Sequence, residues 1–289
     1  FQHGPAVLDI YRKVKAGETG VLYPWESLNR ATMGMWRGTT VMFVARPGIG
    51  KTMVAMICTR HAWQNDERVL MISPEMSKDE LAERFFVMES GASYLNVVQG
   101  TLSDFEFKPL KEKVEESIDK TGFWIIDNDD DLSPDGVQAA IRAVKPTLVG
   151  MDSMYLMPGA GKDQDRMELW LDYMRLWSRQ YDFAGVGFGQ QNRIAELAEK
   201  MGGGHRLGTI AMTDKIARDP YAVYALVQDK DMRSDRIMKI VPLKIRRGFF
   251  AEEAVEVRWD FDTMDFSEID REAEEEFKDD EFDESDVPF

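Results

Sequence analysis

The sequence predicts an α/β fold, a mostly parallel central sheet flanked by helices on both faces. Three observations carry it. Short, nearly continuous apolar runs recur along the chain, helical patterns separate them, and a glycine-rich loop joins one such run to a helix.

Residues 5–16 place Val7, Ile10, Tyr11 and Val14 at helical spacing before Gly17 and Gly20 break the pattern. A short amphipathic helix is expected there, either capping its own domain or docking on a neighbouring subunit. β-rich apolar runs follow at 40–45, 69–73, 123–127, 147–152, 184–188, 222–227 and 237–243. Such runs suit strands covered on both faces, and helices such as 78–90 and 134–144 fall between them. Trp170, Tyr173, Met174 and Trp177 read as the buried face of a further helix. The last strands follow one another closely, which leaves room for an antiparallel edge. The expected organisation is a linker helix within 1–22, one α/β domain over 23–266 and an acidic, disordered tail over 267–289.

With 289 residues, 44% of them hydrophobic, the chain can bury a large core. No apolar run approaches the ~18 residues of a membrane span, and residues 1–15 lack the apolar segment of a signal peptide. A cytoplasmic protein with no membrane partner is expected. The first residue is Phe, so further sequence upstream is expected. Cys58, the one cysteine, excludes an intrachain disulfide and reads as a packed thiol on a helix. The net charge of −16 resides mainly at one end: residues 268–289 hold twelve acidic side chains against Arg271 and Lys278. The remainder carries 40 acidic and 34 basic residues, so local basic loops at a nucleic-acid surface stay open.

The run at 40–45 leads into Ala45-Arg46-Pro47-Gly48-Ile49-Gly50-Lys51-Thr52 and then an apolar helix, the strand-loop-helix setting of a phosphate-binding loop. Gly48 and Gly50 let backbone N–H groups of the loop turn toward phosphate oxygens. Lys51 supplies a point charge to the β- and γ-phosphates of ATP, and Thr52 a hydroxyl to Mg²⁺. Such a site needs a second carboxylate near the metal, and the run 148–152 ends in Asp152. It also needs a group to activate water, and Glu75 follows the run 69–73. Asp129, Asp130 and Asp131 lack the spacing of a hard-cation loop and read as the approach to a helix starting at Ser133-Pro134-Asp135.

Ser27-Leu-Asn-Arg-Ala-Thr-Met-Gly34, the phosphate loop, Ser73-Pro-Glu-Met76 and Met151-Asp-Ser-Met-Tyr-Leu-Met157 together resemble the C-terminal motor domain of DnaB-type, superfamily 4 replicative helicases. Gly189-Gln190-Gln191-Asn192-Arg193 and Lys244-Ile-Arg246-Arg-Gly248 extend the likeness over roughly 20–265. Ala45, at odds with the general phosphate-loop pattern, agrees with this family. The resemblance implies a RecA-like P-loop NTPase that assembles as a homo-oligomer, a hexameric ring, and moves 5′ to 3′ on single-stranded DNA. It further implies that Gln190 senses the γ-phosphate, while Lys244 and Arg246 reach the ATP site of the next subunit. On the residues alone, that basic pair would sit on a late strand with its heads in solvent. RecA-like folds also serve filament-forming recombination mediators, annealing-associated ATPases and nucleotide-dependent loaders, so fold likeness alone leaves these open.

The chain departs from the family where Arg-Glu-Ser-Gly-Ser is usual: it reads Ile210-Ala-Met-Thr-Asp-Lys215-Ile. Candidate DNA contacts are instead Lys162 and Arg166 in one loop, with Arg193, Lys200, His205, Arg206 and Lys215 in and around a second. The end, Asp286-Val287-Pro288-Phe289, resembles the acidic tip of bacterial single-stranded DNA-binding proteins. That likeness implies docking of a replisome protein, a polymerase, primase or loader, on the tail. Compact size and this tail point to a phage-encoded protein working in a bacterial cytoplasm.

Overall fold

The computed structural model describes residues 8, 11, 12, 14–190, 214–246, 248, 254–262 and 264–269. Residues 8, 11, 12, 14 and 15 are helical, and Leu8 and Tyr11 are exposed. The elements then run α1 (Glu26–Thr32), β1 (Thr40–Ala45), α2 (Lys51–Gln64), β2 (Val69–Ile72), α3 (Lys78–Ser90), α4 (Tyr94–Gln99), α5 (Asp104–Asp119) and β3 (Phe123–Ile126). After these come α6 (Pro134–Val144), β4 (Leu148–Met151), a 3₁₀ turn (Met154–Leu156), α7 (Asp163–Tyr181) and β5 (Ala184–Gln190). The chain continues through α8 (Asp214–Arg218), β6 (Ala222–Val227), α9 (Lys230–Ser234), β7 (Ile237–Ile245) and β8 (Val255–Arg258).

Among the described residues one sheet takes all eight strands, in the order β3-β2-β4-β5-β1-β6-β7-β8. The first six of that order run parallel, and β7 and β8 close it as an antiparallel edge. Every residue of β1 is buried, and its side chains divide by the two-residue strand period. Val41, Phe43 and Ala45 join Trp25, Val54 and Trp63 on one face, whereas Met42 and Val44 join Trp170, Met174 and Ile141 on the other. The stripe predicted on α7 is therefore core, with Tyr173 stacked on Trp177 at 5.0 Å.

Helix boundaries follow local chemistry. Ser77 and Ser103 form capping boxes with Glu80 and Glu106, starting α3 and α5. Ser133 caps α6 with Pro134 as its first residue, as expected. On β5 the alternate glycines have a steric cause. A Cβ on Gly185, Gly187 or Gly189 would come within 2.7 Å of a Met174, Met154 or Met167 atom, so only glycine lets α7 and the 3₁₀ turn sit this close to the sheet. Cys58 is buried on α2, and burial pushes its thiol pKa up. Pairing continues past β8: Glu268 bridges Val257, Ile269 N donates to Glu256 O at 2.9 Å, and Ser27 N donates to Glu268 Oε2 at 3.0 Å.

Candidate nucleotide site

The phosphate loop lies at the C-terminal end of β1, inside a parallel sheet where such crevices hold ligands. Gly48 and Gly50 adopt φ of 75° and 95°, a conformation open to glycine at little cost. Gly50 also caps α2 without a side chain, so the first N–H groups of the helix face the loop uncapped. Arg46 Nε is buried without a hydrogen-bond partner, a further donor beside the loop.

The ends of neighbouring strands bring the other residues to it. Asp152 follows β4 and is 1% exposed; Oδ1 accepts from Ser153 Oγ at 3.0 Å, while Oδ2 is buried without a partner. Burial raises the Asp152 pKa, against hydrogen bonding from Thr52 and Ser153 and the charge of Lys51. Burial likewise lowers the Lys51 pKa, opposed by Asp152 and Glu75. A buried lysine and a buried carboxylate, each disfavoured as an ion, suit a site completed by a multiply charged ligand. Among the described residues no three His, Cys, Asp or Glu side chains gather to cage a metal. A Mg²⁺ ion fits here as magnesium commonly binds, through Thr52, the orphan oxygen of Asp152 and the nucleotide's own phosphates.

Glu75 is exposed on the turn between β2 and α3, and its charge is felt by Lys51, Asp152 and Tyr155. Burial first, and Glu75 second, raise the Tyr155 pKa. Gln190 ends β5 and pairs in register with Ala45, which puts it beside the loop.

Three residues at this site escaped the sequence reading. Ser153 and Tyr155 stand one and three places after Asp152, within a stretch singled out for its likeness alone. Trp259 gave no local signal at all. Its indole closes over Gly50, and it packs on Phe266 at 4.9 Å and Phe261 at 5.6 Å. Trp25 Nε1 ties this cluster to α1 by donating to Phe266 O at 3.0 Å.

Lys244 and Arg246 lie elsewhere. Lys244 is level with Val223, itself level with Met42, and Arg246 N donates to Tyr221 O beside Thr40, the first residue of β1. At about 3.3 Å per residue the Lys244 row lies roughly 10 Å, and the Arg246 row roughly 16 Å, from the loop end of β1, with two strands to cross as well. Lys244 Nζ donates to Arg218 O at 2.5 Å, and Arg246 donates to the same carbonyl. Burial, then the Arg246 charge, lowers the Lys244 pKa to about 8, against Asp219.

Of the basic loop residues, Lys162 is exposed at the start of α7. Arg166 donates to Tyr155 O and Gly161 O and pairs with Asp163, and Lys215 pairs with Asp172. Arg193, Lys200, His205, Arg206 and the tail residues Asp286, Val287, Pro288 and Phe289 lie outside the described residues.

Residues 20–267 match the DnaB-like helicase C terminal domain family. The replicative DNA helicase DnaB of Geobacillus stearothermophilus is 24% identical over 243 residues, 80% of this chain and 53% of that protein. The replicative DNA helicase DnaC of Bacillus subtilis is 24% identical over 247 residues, 81% of this chain and 54% of that protein. The chain thus spans about half the length of these relatives. Among solved structures, an ATPase domain aligns with a TM-score of 0.79 at 20% identity, over 93% of this chain and 99% of that one. A DnaB-like replicative helicase, described with its interactions with primase, aligns with a TM-score of 0.77 at 19% identity, over 92% of this chain and 66% of that one.

Proposed function

The chain belongs to the DnaB-like helicase C terminal domain family, and on that premise we propose that it is a ring-forming, ATP-driven motor that moves 5′ to 3′ on single-stranded DNA. One observation carries the reading. The phosphate loop, Glu75, Asp152 and Gln190 meet at one end of the sheet, while Lys244 stands about half-way down it, two strands across, and Arg246 at its other end. A basic pair so placed serves hydrolysis only at the site of a neighbouring copy, which makes assembly a condition of turnover.

In this reading the backbone of 46–50 and Lys51 hold the phosphates of ATP, and Thr52 with Asp152 holds Mg²⁺. The bound metal would neutralise charge on the transferring phosphoryl group. Glu75, exposed at the mouth of the site, takes the proton of the attacking water. Gln190 reports the γ-phosphate along β5, whose continuation in sequence leads to the second basic loop. Arg246 and Lys244 from the adjacent subunit stabilise the developing charge, an arrangement worth on the order of 10³ to 10⁵ in rate. Single-stranded DNA would lie against loops bearing Lys162 and residues of 193–215.

Apolar side chains left outside the core support assembly. Leu8 and Tyr11 project from the N-terminal helix, and Leu95 and Val98 on α4 with Phe105, Phe107 and Ile118 on α5 are exposed. Single exposed apolar side chains are ordinary, but where several share one short helix they offer a surface that a subunit contact would cover. The domain over 23–266, its linker within 1–22 and the tail from 267 would then be motor, subunit clasp and docking segment for a replisome protein.

Electron microscopy with a non-hydrolysable ATP analogue and single-stranded DNA, together with strand displacement on a forked duplex, tests the proposal. Rings that unwind a fork with a 5′ tail are expected. Filaments without unwinding would replace this reading with the recombination one.

A further inference from the structure

The turn that carries Glu75 is gripped on both flanks by the turn that follows β3. Ahead of Glu75, Asn128 Nδ2 donates to the Pro74 carbonyl at 2.5 Å. Behind it, Lys78 N donates to Asp127 Oδ2 at 2.7 Å, and Lys78 Nζ lies 2.7 Å from Asp130 Oδ2. The gripping turn is itself tied down: Asp127 N donates to Asp130 Oδ2 at 3.0 Å, and Asp129 N to Asp127 Oδ1 at 3.1 Å. Asp127 is 3% exposed, so its carboxylate depends on these partners.

The two grips differ in purpose. Asp127 takes an N–H from the first turn of α3, which any helix start requires. Asn128 does something a helix start does not need. Proline has no N–H, so the carbonyl is the only backbone polar group of Pro74, and ring closure already fixes its φ. Holding that carbonyl sets the plane of the Pro74–Glu75 peptide and with it the direction in which the Glu75 side chain leaves the turn.

We infer that Asn128 is a positioning residue for hydrolysis: its amide orients the Pro74–Glu75 peptide and so aims the Glu75 carboxylate at the phosphate loop. The inference rests on the reading of Glu75 as general base. It gives the polar stretch 127–131 a share in the chemistry, although none of its side chains belongs to the nucleotide site itself.

The test compares Asn128→Asp, Asn128→Ala, Glu75→Gln and the Glu75→Gln/Asn128→Asp double variant of the full chain, with Mg²⁺, ATP and single-stranded DNA. Asn128→Asp keeps the shape but turns a carboxylate oxygen toward the Pro74 carbonyl in place of a donor. Expected is a fall in kcat on the order of 10- to 100-fold, since small misplacements of a reacting group cost that much. KM for ATP should stay within about two-fold, Asn128→Ala should behave alike, and adding Asn128→Asp to Glu75→Gln should cost nothing more. Wild-type kcat in Asn128→Asp beside an inactive Glu75→Gln would overturn the positioning role alone. A loss expressed in KM, or a further fall in the double variant, would also overturn it by showing a role not routed through Glu75. Normal turnover in Glu75→Gln would remove the general-base reading and the positioning role together.

Discussion

Trp259 occupies the space that a side chain on Gly50 would need: a Cβ built on Gly50 comes within 2.5 Å of the indole ring. The last glycine of the phosphate loop is thus required twice, by its φ of 95° and by this contact. Trp259 is 5% exposed, and removing so large a buried ring costs about 3 to 5 kcal/mol. Trp259→Ala should lower Tm by several degrees and raise KM for ATP more than it lowers kcat, because the loop loses its wall. Gly50→Ala should abolish nucleotide binding in a fluorescent-analogue titration. Gly50→Ala/Trp259→Ala would recover part of the affinity if the clash contributes, and none if φ strain alone decides.

Lys51 and Glu75 separate binding from chemistry. Lys51→Ala removes the buried charge proposed to meet the β- and γ-phosphates, so both analogue binding and phosphate release should be lost. Glu75→Gln keeps the shape and the loop, so binding should persist while kcat falls on the order of 10²- to 10⁴-fold. Loss of binding in Glu75→Gln would reassign that residue to nucleotide affinity.

How far the sequence could be read depended on whether a residue's role was local. The runs at 40–45 and 222–227 became β1 and β6 without change, and 78–90 and 134–144 became α3 and α6, because burial on both faces or a cap wrote them into adjacent residues. Three expected strands, ending at Ser73, Asp127 and Asp152, ran one residue long at that end, and the last also began one residue early, at Thr147. In each case the polar side chain takes up a local partner just past the strand: Ser73 Oγ accepts from Met76 N, Asp127 Oδ2 from Lys78 N, and Asp152 Oδ1 from Ser153 Oγ. β8 was missed because Val255 and Val257 alternate with Glu256 and Arg258 over only four residues at a sheet edge. α4 was missed because it has no buried residue, hence no stripe toward the core. The contact of Trp259 with Gly50 and the grip of Asn128 on Pro74 exist only after the chain has folded, and no spacing announces them.

Lys244 makes the proposed trans contact sensitive to pH. Its folded pKa, lowered to about 8 from 10.5, means that its charge is lost as pH rises through about 8 while the unfolded chain still holds its proton. Folding stability therefore gains from this residue as pH climbs between those values, whereas the charge available to a neighbouring nucleotide declines. kcat/KM should fall as pH rises through about 8, and Lys244→Arg, which keeps its charge, should flatten that limb. An unchanged limb in Lys244→Arg would assign the fall to another group.

Arg246 lies too far from its own phosphate loop to serve it, and this makes the trans assignment separable by mixing two inactive proteins. An Arg246→Ala ring keeps every catalytic carboxylate but offers no finger, and a Glu75→Gln ring keeps its fingers but cannot activate water. Each alone should hydrolyse ATP at a small fraction of the wild-type rate. In a randomly mixed ring, a site works when an Arg246→Ala subunit supplies the loop and Glu75 while its neighbour, a Glu75→Gln subunit, supplies Arg246. At equal amounts that pairing arises at about a quarter of the interfaces, so co-assembled protein should recover up to about a quarter of wild-type turnover. A finger acting in cis gives no recovery at any ratio, because no single subunit then carries a whole site. Normal turnover in Arg246→Ala by itself would remove the finger role altogether, while recovery in the mixture ties hydrolysis to the contact between copies.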